Sequence, residues 1–330
     1  MRYYLTGATG FIGGHITRQL LGAGHEVVAL VRTPERARDL KELGVRLVEG
    51  DITEPETLAG TMEGVDGVFH VAAWYKVGVR NRDRAFAINV DGTRNVLTAA
   101  REAGVPKIVY TSTLAVYGDT AGTPVDESYR MHGPWLSLYD QTKWLAHYEV
   151  AVPMMEDGLP AVIVQPGLVH GPGDHSNLGD VLRDYLQGRL PVIPKQGGCW
   201  SYVEDIARGH ILAMEVGRPG EAYNLAGPCR TWAEVFPVLE DITGVKPPRL
   251  VLPAWAARIA SWLMKPVNAV VPLPRNYHPE TLRIAGGATY YAKDAKAREE
   301  LGWSPRPLRD GLEITLTALM DELGVEPPRS

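Results

Sequence analysis

From Met1 to about residue 165 the chain alternates short apolar runs with longer stretches whose apolar residues recur at helical spacing, and glycine often marks the change. The short runs are Tyr3–Thr6, Val27–Val31, Arg46–Glu49, Gly67–Val71, Lys107–Thr111 and Ala161–Gln165. They are mostly Val, Ile, Leu or Phe, the composition of strands covered on both faces. Between them, Ile12–Ala23, Glu35–Glu42, Pro55–Met62, Ala85–Ala103 and Ser137–Glu156 read as helices. This alternation predicts an α/β fold, a Rossmann-type doubly wound parallel sheet with ligands at the carboxyl ends of its strands.

Past Gln165 the rhythm changes. Gly and Pro crowd residues 167–198 around one helical stretch, Leu178–Gln187; Tyr202–Val216 reads as a helix after a short strand, and Tyr223–Gly227 as a strand ending in a turn. The remainder is helical pattern cut by prolines. The pattern predicts a cofactor domain over residues 1–165, with 199–227 partly returning to it, and a smaller, mostly helical C-terminal substrate domain from 166–198 and 228–330. Pro153 predicts an early end or a kink in its helix. Pro253–Met264 sets Trp255, Ile259, Trp262 and Leu263 at helical spacing beside Arg258 and Lys265. A membrane-surface helix has this pattern, but packing on the second domain is the stronger expectation.

The first strand runs into Thr6-Gly7-Ala8-Thr9-Gly10-Phe11-Ile12-Gly13, a G-x-x-G-x-x-G spacing at a strand-to-helix junction. Gly7 permits the turn, Gly10 lets a pyrophosphate approach the backbone, Gly13 lets the helix pack on the sheet, and the helix N-terminus offers N–H groups to phosphates. The second strand ends Val28-Ala29-Leu30-Val31-Arg32, with no carboxylate for a ribose diol. Arg32 is placed for a 2′-phosphate, with Arg36 and Arg38 nearby, which favours NADP(H) over NAD(H). Tyr139 and Lys143, four residues apart, share one helix face, and a lysine cation lowers a neighbouring phenol. Thr111, Ser112 and Thr113 offer hydroxyls at the carboxyl end of the fifth strand.

Composition removes other classes. A net charge of −5 with scattered basic residues gives no field for nucleic acid. No apolar run reaches the roughly 18 to 20 residues of a membrane span, and no targeting segment is visible. Cys199 and Cys229, 30 positions apart, suggest ordinary thiols in a reducing, cytoplasmic compartment, and no metal site is expected.

With these motifs the chain resembles the extended short-chain dehydrogenase/reductase family. The resemblance rests on the glycine loop, Gly50-Asp51-Ile52, His70-Val71-Ala72-Ala73, Asn89-Val90-Asp91-Gly92-Thr93, Thr111–Gly118, Tyr139 with Lys143, Gln165-Pro166-Gly167-Leu168-Val169, Tyr223–Gly227 and Glu300–Trp303. It implies cofactor contacts from Thr9, Phe11 and Ile12 of the loop, from Asp51 and Ile52 at the adenine, and from Val71, Ala72 and Ala73. Thr111, Ser112 and the segment Pro166, Gly167, Leu168 and Val169 complete that set. It also implies Tyr139 as proton donor, Lys143 on the nicotinamide ribose, and Thr113 as the catalytic hydroxyl, with Ser112 as the fallback. A homodimer through Ala85–Ala103 and Ser137–Glu156 is the family's usual arrangement.

Departures narrow the reading. Leu114 and Ala115 stand where related dehydratases carry an Asp-Glu pair, and Gly198 stands where nucleotide-sugar epimerases carry a diphosphate-binding arginine, though Arg275 or Arg283 could substitute. Trp74, Tyr75, Trp135, His170 and Trp200 are substrate candidates, with Tyr202 nearby; His170 and His175 have loop stabilisation as their plainer role. Arg32 and the apolar lining resemble the dihydroflavonol-reductase-like branch, and the expectation is an NADPH-dependent carbonyl reductase of an apolar or aromatic small molecule. The Thr281–Trp303 stretch resembles related epimerases, so epimerisation is the alternative, and a non-catalytic dinucleotide sensor the second.

Overall fold

A computed structural model of the chain describes residues 1–77, 81–131, 133–271, 273 and 277–325. Its strands are β1 (Arg2–Thr6), β2 (Glu26–Val31), β3 (Arg46–Glu49), β4 (Gly67–His70), β5 (Ile108–Thr111), β6 (Ala161–Pro166), β7 (Leu168–His170), β8 (Gly197–Tyr202), β9 (Ala222–Leu225), β10 (Cys229–Thr231) and β11 (Thr289–Tyr290). Seven of them form one parallel sheet in the order β3-β2-β1-β4-β5-β6-β9. The strand order reverses between β1 and β4, and in such sheets the crevice beyond the strand ends at that reversal takes the ligand. Strands β4, β5 and β6 are buried along their whole length, which is why their sequences carry apolar residues continuously instead of alternating.

Helices cover both faces. One core holds Leu5, Ile16, Leu20, Val109 and Val164; the other holds Tyr4, Val68, Val96, Ile108 and Ile163. The second part of the chain has its own core, in which Leu182, Tyr185, Trp200, Trp232, Phe236, Leu312 and Leu316 meet around β8. β8 pairs with β7 and β11 in parallel and with β10 in antiparallel. The chain returns to the large sheet through the helix Val203–Glu215 and β9, and again through Ala297, Leu301 and Trp303.

Two expectations change here. The β8–β10 register sets Cys199 opposite Cys229, and the two form a disulfide with Cα atoms 3.8 Å apart. They are not free thiols, so they give no argument for a reducing compartment. Thirty residues of separation concealed a pairing that only strand register creates. Of the two outcomes expected at Pro153, the early end does not occur: the helix runs from Leu138 to Glu156, with a π-helical stretch at Ala146–Ala151 just before the proline. Pro153 lies just after that π-helical stretch, three residues before the helix ends at Glu156.

Candidate active site

The loop after β1 is shaped by what its glycines leave out. Gly7 has φ +79°, and a Cβ there would lie 2.7 Å from the Ala72 nitrogen; one on Gly13 would lie 2.1 Å from the Gly7 carbonyl oxygen. The helix Phe11–Gly22 therefore starts directly beneath the turn. Gly10 is its N-cap, no side chain caps it and no acidic residue stands in its first turn. Uncapped N–H groups at the positive end of a helix, at the sheet's reversal point, are a cradle for an anion. These residues fit a dinucleotide pyrophosphate.

The neighbouring strand end is tied to this loop by side chains. Thr6 Oγ1 accepts from the Val71 and Ala72 N–H groups, both at 3.2 Å, and meets His70 Nδ1 at 2.8 Å; His70 Nε2 meets Thr93 Oγ1 at 3.2 Å. Arg32 begins where β2 ends; it and Arg36 are exposed, with no ion-pair partner among the described residues. Asp51 Oδ1 accepts from both the N–H and the hydroxyl of Thr53 at 2.9 Å. Ile52 is buried under the helix Gly92–Glu102, and its carbonyl accepts from Asn95.

Thr113, Tyr139 and Lys143 come together beyond β5. Ser137 caps the helix that carries Tyr139 by accepting from the Asp140 N–H at 3.1 Å. Thr113 Oγ1 accepts from the Ala115 N–H at 3.2 Å and stands near enough to the Tyr139 phenol to favour its ionised form. Ser112 faces elsewhere, with Oγ 2.7 Å from His147 Nδ1. Of the two candidate hydroxyls, Thr113 is the one beside Tyr139. Lys143 is buried and donates to the Tyr110 hydroxyl at 3.1 Å and to the Thr111 carbonyl at 2.8 Å. Two of its three possible donors are thus used on β5, leaving one for another acceptor.

Charge effects depart from the simple expectation. Removal from water pushes the Tyr139 phenol up to about 12, against the bond from Thr113, and pushes Lys143 down to about 7. Desolvation outweighs any lowering of Tyr139 by Lys143, whose bonds go to Tyr110 and Thr111 instead of the phenol. A phenol so raised is protonated at neutral pH, the state a proton donor needs.

Of the substrate candidates, Trp74 and Trp135 are half-buried, and their indole N–H groups have no partner among the described residues. Tyr75 is 49 % exposed. His170 and Trp200 are instead in the second core. His170 Nδ1 meets Thr315 Oγ1 at 2.9 Å, and Trp200 Nε1 donates to the Arg230 carbonyl at 3.1 Å. The parallel β7–β8 pairing carries both side chains inward. Gly167 packs against the Cys199 carbonyl, and Leu168 covers Gly198. Arg283 donates to the Trp135 and Leu136 carbonyls, and Arg275 lies outside the described residues.

One organising residue had no role in the sequence reading. Asn89, in the π-helical stretch Ala87–Asp91, accepts from the Trp74 N–H at 2.7 Å and donates to the Trp74 carbonyl and to Thr142 Oγ1, both at 2.9 Å. It fastens the Trp74 loop to the helix of Tyr139. The Asn-Val-x-Gly-Thr motif was its only sequence signal. Tyr110, which holds Lys143, was hidden as an ordinary strand aromatic.

Burial also makes the fold acid-sensitive. His70, His147 and His170 are pushed down from 6.5 to about 3, and His210 to about 4. Unfolded, each binds a proton near its ordinary value, so between about 6.5 and 3 the unfolded chain holds more protons and stability falls as pH falls. Asp140, raised to about 7, opposes this: its contribution is present below the unfolded carboxylate value and is lost as pH rises through 7. His147→Gln should therefore flatten the loss of urea midpoint between about pH 6.5 and 4 relative to the parent chain. Parallel pH curves for the two proteins would refute a buried neutral imidazole.

The chain has well-matched relatives. The NAD dependent epimerase/dehydratase family profile matches residues 3–226. A Synechocystis protein provisionally named dihydroflavonol 4-reductase is 32 % identical over 94 % of this chain and 92 % of its own. The 4-hydroxy-2-methyl-3-oxo-4-farnesyl-3,4-dihydroquinoline-1-oxide ketoreductase of Stigmatella aurantiaca is 32 % identical, over 93 % and 92 %. The Thermus thermophilus UDP-glucose 4-epimerase complex with NAD superposes with a TM-score of 0.75 at 26 % identity, covering 97 % of this chain and 99 % of that one. The chain belongs to the NAD dependent epimerase/dehydratase family and is an NAD(P)-dependent oxidoreductase of the extended short-chain dehydrogenase/reductase type.

Proposed function

We propose that the protein is an NADPH-dependent reductase of a ketone or aldehyde in an apolar or aromatic small molecule. The observation that carries this is the convergence of Thr113, Tyr139 and buried Lys143 at the carboxyl end of β5. Bound at the glycine loop, the dinucleotide supplies a hydride from C4 of its nicotinamide. The chain supplies the rest. With a carbonyl bound, Thr113, its oxygen held by the Ala115 N–H, would redirect its proton from the Tyr139 oxygen to the carbonyl oxygen. A carbonyl oxygen there receives two hydrogen bonds, and Tyr139 yields its proton as negative charge develops on that oxygen. In its protonated form Lys143 would present its remaining donor to the ribose, while Trp74 and Trp135 offer aromatic surface. Names of relatives that are reductases support the reaction class.

NADPH preference rests on Arg32, an exposed guanidinium with no ion-pair partner among the described residues, where a carboxylate would otherwise meet the ribose diol. Arg32→Ala should lower kcat/KM for NADPH relative to NADH roughly ten- to a hundredfold, the loss of one charged hydrogen bond. An unchanged ratio would remove the assignment. NADPH oxidation against aromatic aldehydes, ketones, steroids and nucleotide sugars tests the reaction itself. Turnover only of a nucleotide sugar, without net consumption of cofactor, would favour epimerisation; binding without turnover would favour a sensor.

A further inference from the structure

The helix Ala254–Val270 buries its small residues and exposes its large ones. Ala257 and Ser261 are its buried positions, and the Ser261 hydroxyl donates to the Pro279 carbonyl at 2.7 Å at the start of the helix Pro279–Ala285. Trp255 and Trp262 are 68 % and 70 % exposed, and Ile259, Leu263, Val267 and Val270 stand exposed with them. The helix does pack on the second domain, but through its small residues, and its large apolar side chains stay exposed. More than half of the exposed large hydrophobic residues among the described ones fall between Leu250 and Val271. A patch so concentrated is costly in water and marks an interaction surface.

We propose that this helix is an interfacial anchor that docks on the surface of a bilayer containing anionic lipid. Charge selects that occupant. Between Asp241 and Glu280 the sequence holds no Asp or Glu, while Lys246, Arg249, Arg258, Lys265 and Arg275 fall within the stretch, in a chain whose net charge is −5. At 100° per residue, the six exposed apolar residues form one arc, and Arg258 and Lys265 lie together on its flank. Long basic side chains so placed lie along an apolar face and carry their charge to phosphate headgroups, and tryptophan suits the same depth. A second copy of this face brings no carboxylate from this stretch to meet those cations. A transmembrane role is excluded by length and composition, since no helix among the described residues is long and apolar enough to cross a membrane.

The anchor sits one helix away from the catalytic constellation. In the helix Pro279–Ala285, Glu280 accepts from the Leu138 N–H at 2.9 Å and Arg283 holds the Trp135 and Leu136 carbonyls, at the start of the helix that carries Tyr139. Docking therefore brings this side of the site toward the lipid. It is independent of which carbonyl, if any, is reduced.

Flotation of the full chain with phosphatidylcholine vesicles, with and without phosphatidylglycerol, tests the proposal. The parent chain should float with the anionic vesicles and be released as salt is raised. Trp255→Ser with Trp262→Ser should lower the bound fraction at fixed lipid roughly tenfold or more. Arg258→Glu with Lys265→Glu, on the exposed flank, should abolish the preference for phosphatidylglycerol, and it carries the test if the tryptophan variant does not fold. The proposal is overturned if the parent chain stays unbound at every lipid concentration, or if folded variants bind as it does. It is also overturned if sedimentation shows a dimer that the tryptophan substitutions dissociate, which would assign the face to a second copy.

Discussion

Tyr139→Phe should lower carbonyl turnover roughly 10²- to 10⁴-fold, the range over which a positioned general acid contributes, with dinucleotide affinity nearly unchanged. The substitution removes one hydroxyl and keeps the ring, so the helix and the Lys143 bonds to Tyr110 and Thr111 stay in place. The lost partner is Thr113, whose hydroxyl is still held by the Ala115 N–H. One hydrogen bond contributes about 1 kcal/mol to stability, a small change beside the loss of the proton donor. The measurement is kcat with the best carbonyl from the substrate panel, alongside NADPH affinity by fluorescence. Turnover within tenfold of the parent would show that the proton comes from elsewhere.

Gly13→Ala should damage dinucleotide binding and stability together. The added methyl would sit 2.1 Å from the Gly7 carbonyl oxygen and 3.2 Å from the Ala8 Cα, both backbone atoms that cannot swing aside as a side chain would. Either the turn or the start of the helix Phe11–Gly22 must move. Overpacking of this kind costs about 1–3 kcal/mol. Displacing the N–H groups from a phosphate removes a charged hydrogen bond of about 1.5–3 kcal/mol, so NADPH affinity should fall roughly ten- to a hundredfold. Titration calorimetry and the urea midpoint read the two effects separately. A variant that binds NADPH like the parent would mean that the cradle lies elsewhere. Gly10 makes a useful contrast, because a methyl there meets only the Gly7 oxygen, at 3.1 Å.

The central strands of the large sheet were readable in the sequence because burial on both faces demands continuous apolar residues, and the six sequence runs, the edge strand β3 included, overlap β1 to β6 within a residue at each end. The glycine loop was readable for a similar reason: a backbone carbonyl 2.1 Å from a virtual Cβ tolerates nothing larger than hydrogen. Such constraints act on single positions or short periods, and a sequence displays them directly. The exposed tryptophans of Ala254–Val270 were visible as a pattern, but periodicity says which residues share a face and not what the face meets.

Family, fold class and the identity of the reactive residue types were thus determined by the sequence alone. Tertiary structure decided the rest, because each remaining question concerns atoms distant along the chain. Strand register joined Cys199 to Cys229, and the β7–β8 pairing carried His170 and Trp200 into a core. The turn after β5 set Thr113 beside Tyr139 while giving Ser112 to His147, a choice between adjacent residues that composition cannot make. Burial raised Tyr139 and lowered Lys143, since desolvation depends on everything packed around a group and not on the partner four residues away.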